Sequence, residues 1–159
     1  MLKKIVLALV VLLVLVQFVP HSVFPTTNPP VNQADTLEAH AQAPTPEVAA
    51  ILKRSCYNCH SNSTVWPWYS KVAPVSWLVS GDVTEGRGEV NFSEWARYDA
   101  KRAARKLQNI CQQVERGEMP LWYYTPLHPD AKLSAADRVA ICGWTTAQRQ
   151  APVRVQPQP

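Results

Sequence analysis

The chain has 159 residues and a formal net charge of +4, and two of its basic residues, Lys3 and Lys4, stand at the extreme N-terminus. This length suits one domain of modest size. Its basic residues form no cluster interleaved with aromatic side chains, which is the pattern that nucleic-acid binding needs, so no nucleic-acid partner is expected.

The N-terminus combines a basic start with a long apolar run. Lys3 and Lys4 precede the stretch from Ile5 to Val16, which contains no polar residue and is typical of an export signal. No small-residue cleavage site follows promptly, which favours an uncleaved anchor at residues 1–19 over a removed signal. The run is short beside the roughly 20 residues of a usual bilayer span. We expect the remaining chain on the periplasmic side of a bacterial inner membrane, anchored there, or free in the periplasm if the signal is cleaved.

Composition divides the rest of the chain into three segments. Residues 20–44 contain five prolines among small polar residues, which predicts a tether. The folded domain is expected over residues 45–148. Residues 149–159 are rich in proline and glutamine, and this composition predicts a disordered tail.

Three helices are predicted from their start signals. Thr45 is the expected N-cap of the first, with Pro46 at its first helical position. Asn91 is the expected N-cap of the second, whose apolar residues continue at helical spacing up to Gly117. Ser134 is the expected N-cap of the third. Each start signal is followed by apolar residues at helical spacing, so these segments indicate helices rather than loops.

The segment between the first and second predicted helices is rich in aromatic residues and turns. It predicts only a short helix, around residues 76–79. No alternating pattern of a β-strand occurs anywhere in the sequence. The predicted fold class is therefore all-α.

The sequence Cys56-Tyr57-Asn58-Cys59-His60 ends the first predicted helix and has the spacing of a c-type haem attachment site. Two intervening residues let both sulfurs reach the two vinyl groups from one helical turn, and the adjacent histidine can ligate the iron. A zinc site needs four ligands, and no second pair of close cysteines supplies the others. The motif predicts one covalent haem c, held in a small cytochrome c-like helical domain behind the N-terminal hydrophobic segment.

Two residues compete for the second axial position of the iron. Met119 lies in a polar-flanked turn and is followed by Pro120, which stiffens the segment that presents the sulfur. A gap-filling core methionine is the plainer alternative, but an exposed turn suits it badly. His128 is the less favoured ligand candidate, because a loop histidine is more often exposed or hydrogen-bonded.

The two remaining cysteines, Cys111 and Cys142, fall in different predicted helices. In an exported protein they could form a disulfide between those helices. The alternative is two buried thiols that pack as small apolar groups.

Several basic residues could face an acidic group. One predicted helix carries a basic patch that is either a solvated face, a docking surface for an acidic redox partner, or a partner for haem propionates. The residues of this patch are Lys101, Arg102, Arg105 and Lys106. Arg87 and Arg97 are further propionate candidates, and the sequence does not choose among them.

These residues belong to a set of longer motifs that resembles the bacterial haem-binding domain family with a single C-x-x-C-H. The similarity covers roughly residues 45–144, and its motifs are Cys56 to Asn62, Trp66 to Ser70, Ala73 to Trp77, Asn91 to Trp95, Met119 to Trp122 and Leu127 to Ala131. The resemblance implies covalent haem at Cys56, Cys59 and His60 and a location in the cell envelope. It implies no particular reaction.

The function expected from these observations is that of a membrane-tethered monohaem cytochrome, which passes single electrons to a redox partner protein in the envelope. No enzymatic activity is assigned. The alternative is a haem enzyme or a gas or redox sensor with a displaceable second ligand, in which His128 acts as a distal acid or base. A haem-free metal or thiol protein is a weaker possibility. The oligomeric state is left open.

Overall fold

The computed structural model of this chain describes residues 1–18 and 25–150. Within these ranges it contains α-helices, short 3₁₀-helices and no β-strand, so the predicted all-α class is confirmed. The α-helices are α1 (Leu2–Leu15), α2 (Pro46–Ser55), α3 (Tyr57–His60), α4 (Val75–Glu89), α5 (Ala100–Glu115) and α6 (Ala135–Gln150). Helix α6 extends past residue 149, and the rest of the predicted tail lies outside the described residues.

The apolar N-terminal run forms α1, and its side chains are largely exposed. In the described parts of the chain, no helix combines the length and the apolar character needed to span a membrane. Within the described residues, Gln17, just after α1, is hydrogen-bonded to the domain. The Gln17 amide donates to the Ala73 carbonyl at 2.9 Å and accepts from the Ala73 N–H at 3.0 Å.

The segment predicted to be a tether packs against the domain from residue 25 onwards. Leu37 has no exposed surface and lies in the main core, and the Pro25 carbonyl accepts a hydrogen bond from Ser80 at 2.9 Å. The Pro30 carbonyl accepts another from Asn62 at 3.3 Å. The domain boundary is therefore corrected to a point before Thr45. Prolines suit an extended strap as well as a flexible linker, and composition alone does not distinguish them.

The first and third predicted helices begin where their caps indicated. The Thr45 hydroxyl accepts from the Val48 N–H at 3.4 Å, at the start of α2. At the start of α6, the Ser134 hydroxyl accepts from the Asp137 N–H at 3.1 Å, and the Asp137 carboxylate accepts from the Ser134 N–H at 2.8 Å. This reciprocal capping box satisfies amides that have no partner within the helix.

Two helix boundaries are corrected. The predicted short helix is α4, a much longer element (Val75–Glu89). Asn91 does cap a helix, but it caps the 3₁₀-helix Phe92–Arg97, and the second predicted helix begins eight residues later than its first signal. Its N-cap is Asp99, whose carboxylate accepts from the Arg102 N–H at 2.7 Å. Gly117 ends this helix as expected, with a φ of 70°.

The core lies between α2, α5 and α6 and the 3₁₀-helix that precedes α5. Buried apolar side chains from all four elements meet there, namely Leu52, Phe92, Trp95, Leu107 and Trp144. Cys111 and Cys142 join α5 to α6 through a disulfide with an S–S distance of 2.02 Å. The core thus fixes the positions of α2, which ends at the cysteine motif, and of α5, which precedes the turn that contains Met119.

Candidate functional site

The helix that carries the cysteine motif changes direction at its first cysteine. The Cys56 N–H still donates to the Leu52 carbonyl at 2.8 Å, so α2 continues up to this residue. Its backbone then departs from helical geometry, with φ −126° and ψ −37°. A new turn, α3, follows and is closed by the His60 N–H, which donates to the Cys56 carbonyl at 2.9 Å. Both thiols and the imidazole therefore lie on one short turn.

A cavity of about 550 Å³ opens beside this turn and is lined by Cys56, Cys59 and His60. Ligand and cofactor pockets usually enclose about 300–1,000 Å³. Helix α4 forms one wall, α5 forms another, and the turn after α5 faces α3. The apolar and aromatic side chains of the lining are Val90, Phe92, Ile110, Val114, Met119, Pro120, Leu121, Tyr123 and Tyr124.

The imidazole of His60 is fixed by two backbone carbonyls. Its Nδ1 lies 2.8 Å from the Gly86 oxygen and 3.1 Å from the Val90 oxygen. Carbonyl oxygens only accept hydrogen bonds, so Nδ1 carries the proton and donates. Burial lowers the pKa of His60, and this effect outweighs the two carbonyl bonds, which raise it. The neutral ring therefore presents Nε2 as a metal-binding lone pair, which is how protein imidazoles ligate metals.

Gly86 allows α4 to pack directly against α3. A Cβ at this position would lie 2.8 Å from the Cys59 carbonyl oxygen and 3.2 Å from the Cys59 Cβ. The same contact brings the Gly86 carbonyl within reach of His60. Gly86 was not predicted as a site residue, because it lies outside the short helix predicted at residues 76–79. A glycine can mark a close backbone approach, but the sequence alone does not say against which residue.

The two motif cysteines are free thiols. Burial raises the pKa of Cys56 to about 12 and that of Cys59 to about 11. Both side chains are therefore protonated at neutral pH and are poor metal ligands or redox nucleophiles in that form.

The two residues between the cysteines hold the turn in place. Tyr57 stacks on Phe92 with ring centroids 5.0 Å apart. The Asn58 amide donates to the Tyr124 hydroxyl at 2.9 Å, and its side-chain oxygen accepts from the Val65 N–H at 3.1 Å. Asn58 therefore links the cysteine turn to the segment that faces it across the cavity.

Met119 lies in a tight turn at the end of α5 and lines the cavity. The left-handed backbone of Gly117 reverses the chain, and the Met119 N–H donates to the Gln113 carbonyl at 3.3 Å. The turn therefore places Met119 at the cavity that Cys56, Cys59 and His60 also line.

His128 lies in a different environment. Its ring stacks on Tyr124 with centroids 4.1 Å apart, and its Nε2 forms a short hydrogen bond with the Tyr69 hydroxyl. It is absent from the cavity lining among the described residues. The two candidate second ligands are thus separated, with Met119 inside the cavity and His128 in an aromatic cluster outside it.

A second polar link joins α4 to the segment that faces it. The Tyr123 hydroxyl donates to the Asp82 carboxylate at 3.0 Å. Partial burial raises the pKa of Asp82, which the Tyr123 bond opposes. Burial and the neighbouring carboxylate raise the pKa of Tyr123 to about 12. This pair could not be predicted from the sequence, because the two residues lie far apart in the chain and belong to no local motif.

A comparison with known protein families gives one match. The family model for a haem-binding domain matches residues 11–147 of the chain. No curated protein and no solved structure matches the chain significantly.

Proposed function

This chain belongs to the haem-binding domain family, and on that premise we propose that it is a c-type cytochrome that transfers single electrons in the cell envelope. The haem would be attached through Cys56 and Cys59, with His60 and Met119 as axial ligands. One observation carries the proposal: all four side chains line the same cavity.

The cavity fits a haem in size and in chemistry. Its volume of about 550 Å³ falls in the range of cofactor pockets. A porphyrin is a large apolar plate, and the aromatic and aliphatic lining offers matching surfaces. Fixed Nδ1 hydrogen bonds on His60 are the arrangement that orients a ligating imidazole.

The two thiols are suited to a covalent attachment. Each can add across one porphyrin vinyl group, with a new sulfur–carbon bond at one vinyl carbon and the thiol hydrogen transferred to the other. No oxidant is consumed in this addition. Cys56 and Cys59 lie on the same turn as His60, so attachment places the porphyrin beside its imidazole.

Met119 is the second ligand in this proposal. When bound, the haem supplies an iron that exchanges one electron between its ferric and ferrous states. A thioether opposite an imidazole favours the ferrous state and raises the reduction potential. Two protein ligands also leave no iron position for a substrate, which favours electron transfer over catalysis.

The location in the envelope belongs to the same proposal. Lys3 and Lys4 lie in the first turn of α1, before its apolar run, and such a segment is typical of export with the charged end retained in the cytoplasm. The disulfide between Cys111 and Cys142 also suits an oxidising compartment. We propose that α1 associates the domain with the membrane and that a redox partner protein meets it there.

The test begins with expression in a host that matures c-type haem in its periplasm. Denaturing extraction should leave the haem on the chain, and Cys56→Ala with Cys59→Ala should release it. Free haem from the unaltered chain would contradict covalent attachment.

The second ligand is tested with Met119→Ala and His128→Ala in the same host. Met119→Ala should abolish the near-infrared methionine-to-iron band of the oxidised protein and lower its reduction potential, while His128→Ala should preserve both. An unchanged spectrum and potential in Met119→Ala would instead favour a haem enzyme or sensor with an open iron position.

A further inference from the structure

The two helical walls of the cavity carry opposite electrostatic character. Helix α4 lines it with three acidic side chains at helical spacing, Asp82, Glu85 and Glu89. Helix α5 lines it with a cation and two amides at the same kind of spacing, Lys106, Asn109 and Gln113. Residues three and four positions apart share one face of a helix, so each wall is a continuous strip.

Three arginines considered for haem propionates, Arg87, Arg97 and Arg102, already have partners within the chain. Arg87 donates to four oxygen acceptors at 2.8 to 3.2 Å. Arg97 pairs with Glu94 at 2.7 Å, and Arg102 lies 3.7 Å from Asp99. These contacts occupy the guanidinium groups away from the cavity, whose lining contains none of the three arginines.

Lys106 differs from these arginines. It is half-buried and lines the cavity, with its Nζ 5.9 Å from the centre of the Tyr98 ring. Over residues 1–18 and 25–150, no carboxylate lies within ion-pair distance of Lys106. Over the same residues, the side-chain amides of Asn109 and Gln113 form no hydrogen bond within the chain. The wall therefore offers one charge and two amide donors to a ligand.

A haem has chemically different edges. Its two vinyl groups lie on one side of the ring, and its two propionates lie on the other. Because Cys56 and Cys59 would bind the vinyl groups, the propionates would lie at the edge of the ring away from these two cysteines. Carboxylates are stabilised by ammonium and amide donors and are repelled by other carboxylates.

We propose that Lys106, with Asn109 and Gln113, forms the propionate subsite of the cavity, and that the acidic strip of α4 repels the propionates, so that they lie along the α5 wall. This inference rests on the proposed haem function and adds a charge-based selection of orientation. Lys106 is a binding residue for the carboxylate edge of the ligand.

The test measures reversible binding to the full chain carrying Cys56→Ala and Cys59→Ala. Haemin and its dimethyl ester, which lacks the propionate charges, are titrated separately and followed by absorbance. Lys106→Met should weaken haemin binding on the order of tenfold, corresponding to about 1.4 kcal/mol. The ester should bind with unchanged affinity. Lys101→Met, on the same helix but outside the cavity lining, is the matched control and should change neither titration.

Two further variants test the charge mechanism. Lys106→Arg should restore haemin affinity, because a guanidinium also pairs with carboxylates. Glu89→Gln should tighten haemin binding by about two- to fivefold, since a repulsive charge is removed. The proposal is overturned if Lys106→Met weakens haemin and its ester equally, or affects neither. Failure of the starting chain to bind haemin at all would count against the proposed function instead.

Discussion

The two sides of the cavity are built in different ways. On the side of α3, backbone groups determine the geometry: the carbonyls of Gly86 and Val90 orient His60, and α4 touches the cysteine turn directly. On the opposite side, Met119 lies in a turn between helices, and the segment that follows exposes 80% of Trp122 and 66% of Leu127.

Under the proposed function, the α3 side of the cavity serves haem attachment, and the Met119 side adjusts the properties of the iron. A site that receives a covalent group needs a fixed geometry before the reaction, and backbone contacts supply it. A segment joined to the opposite wall through the side chains of Tyr123 and Tyr124 can adjust its ligand once the group is present. Changes near α3 should therefore affect folding and attachment together, whereas changes around Met119 should mainly affect the properties of the iron.

Removal of the disulfide is the largest expected perturbation and tests whether the two sides unfold together. Cys111→Ala with Cys142→Ala should lower the free energy of unfolding by about 3 to 4 kcal/mol, because the bridge closes a loop of 31 residues. Urea unfolding measures the loss. Amide exchange at Val90 and Met119 should accelerate equally. Faster exchange at Met119 alone would show that the methionine turn is an independent unit.

Gly86→Ala is the next largest perturbation and disrupts the close contact between α4 and the backbone of Cys59. The new Cβ would meet the Cys59 carbonyl oxygen at 2.8 Å, so α4 must shift. We expect a loss of about 1 to 3 kcal/mol, as for other overpacked sites, together with reduced haem attachment.

Gly88→Ala is the matched control for this prediction. Gly88 lies on the same helix, and no atom beyond its immediate surroundings in the helix lies within 4 Å of the position that a Cβ would take there. Alanine should therefore stabilise α4 by about 0.5 to 1 kcal/mol. Thermal unfolding measures the change in stability that each of the two variants causes. Equal effects of the two substitutions would contradict the role given to Gly86.

The sequence predicted features whose causes are local. Thr45 and Ser134 are caps read from neighbouring residues, and the attachment motif is a run of five residues. The extent of α4 was missed because its three glycines disfavour helix locally. Only its packing against α3 explains why Gly86 is there.

Other features depend on partners that are distant in sequence. Leu37 belongs to the core because Phe92 and Trp95 form part of the same cluster, which proline content in residues 20–44 could not indicate. The Asn58–Tyr124 bond joins residues 66 positions apart. The position of Met119 at the cavity and that of His128 away from its lining likewise depend on tertiary structure, and the second-ligand assignment stays a prediction.

Tyr124→Phe and Tyr98→Phe compare the two sides with the same chemical change. Tyr124 loses its hydrogen bond from Asn58, and Tyr98 loses the one from the Asn91 N–H at 2.9 Å. Each should cost about 1 kcal/mol of stability. Of these two variants, only Tyr124→Phe should shift the methionine-to-iron band. The Asn58–Tyr124 bond restrains the segment that carries Met119, whereas the Asn91–Tyr98 bond does not. A shift in both variants, or in Tyr98→Phe alone, would reject the division into attachment and tuning sides.

The smallest expected effect concerns Arg54, which links α2 to α6 and to the segment that follows Met119. It pairs with the Asp137 carboxylate at 2.7 Å and donates to the Asp130 carbonyl, beyond the methionine turn, at 2.9 Å. Burial acts to raise the pKa of Asp137, but hydrogen bonds from Ser134 and Arg54 outweigh it and lower the pKa below its ordinary value. A lowered folded-state pKa means that the folded chain favours the carboxylate.

This stabilisation is therefore present above the unfolded pKa of about 3.9 and disappears as the pH falls through the folded value. Asp137→Asn should lose about 0.5 to 1 kcal/mol of stability at pH 7 and almost nothing near pH 2. Urea unfolding across this range measures the difference. Asp99→Asn is the control, since its exposed carboxylate caps α5 and asparagine caps equally well. If the loss in Asp137→Asn is the same at both pH values, its cause is packing rather than charge, and Arg54 does not couple the two sides through an ion pair.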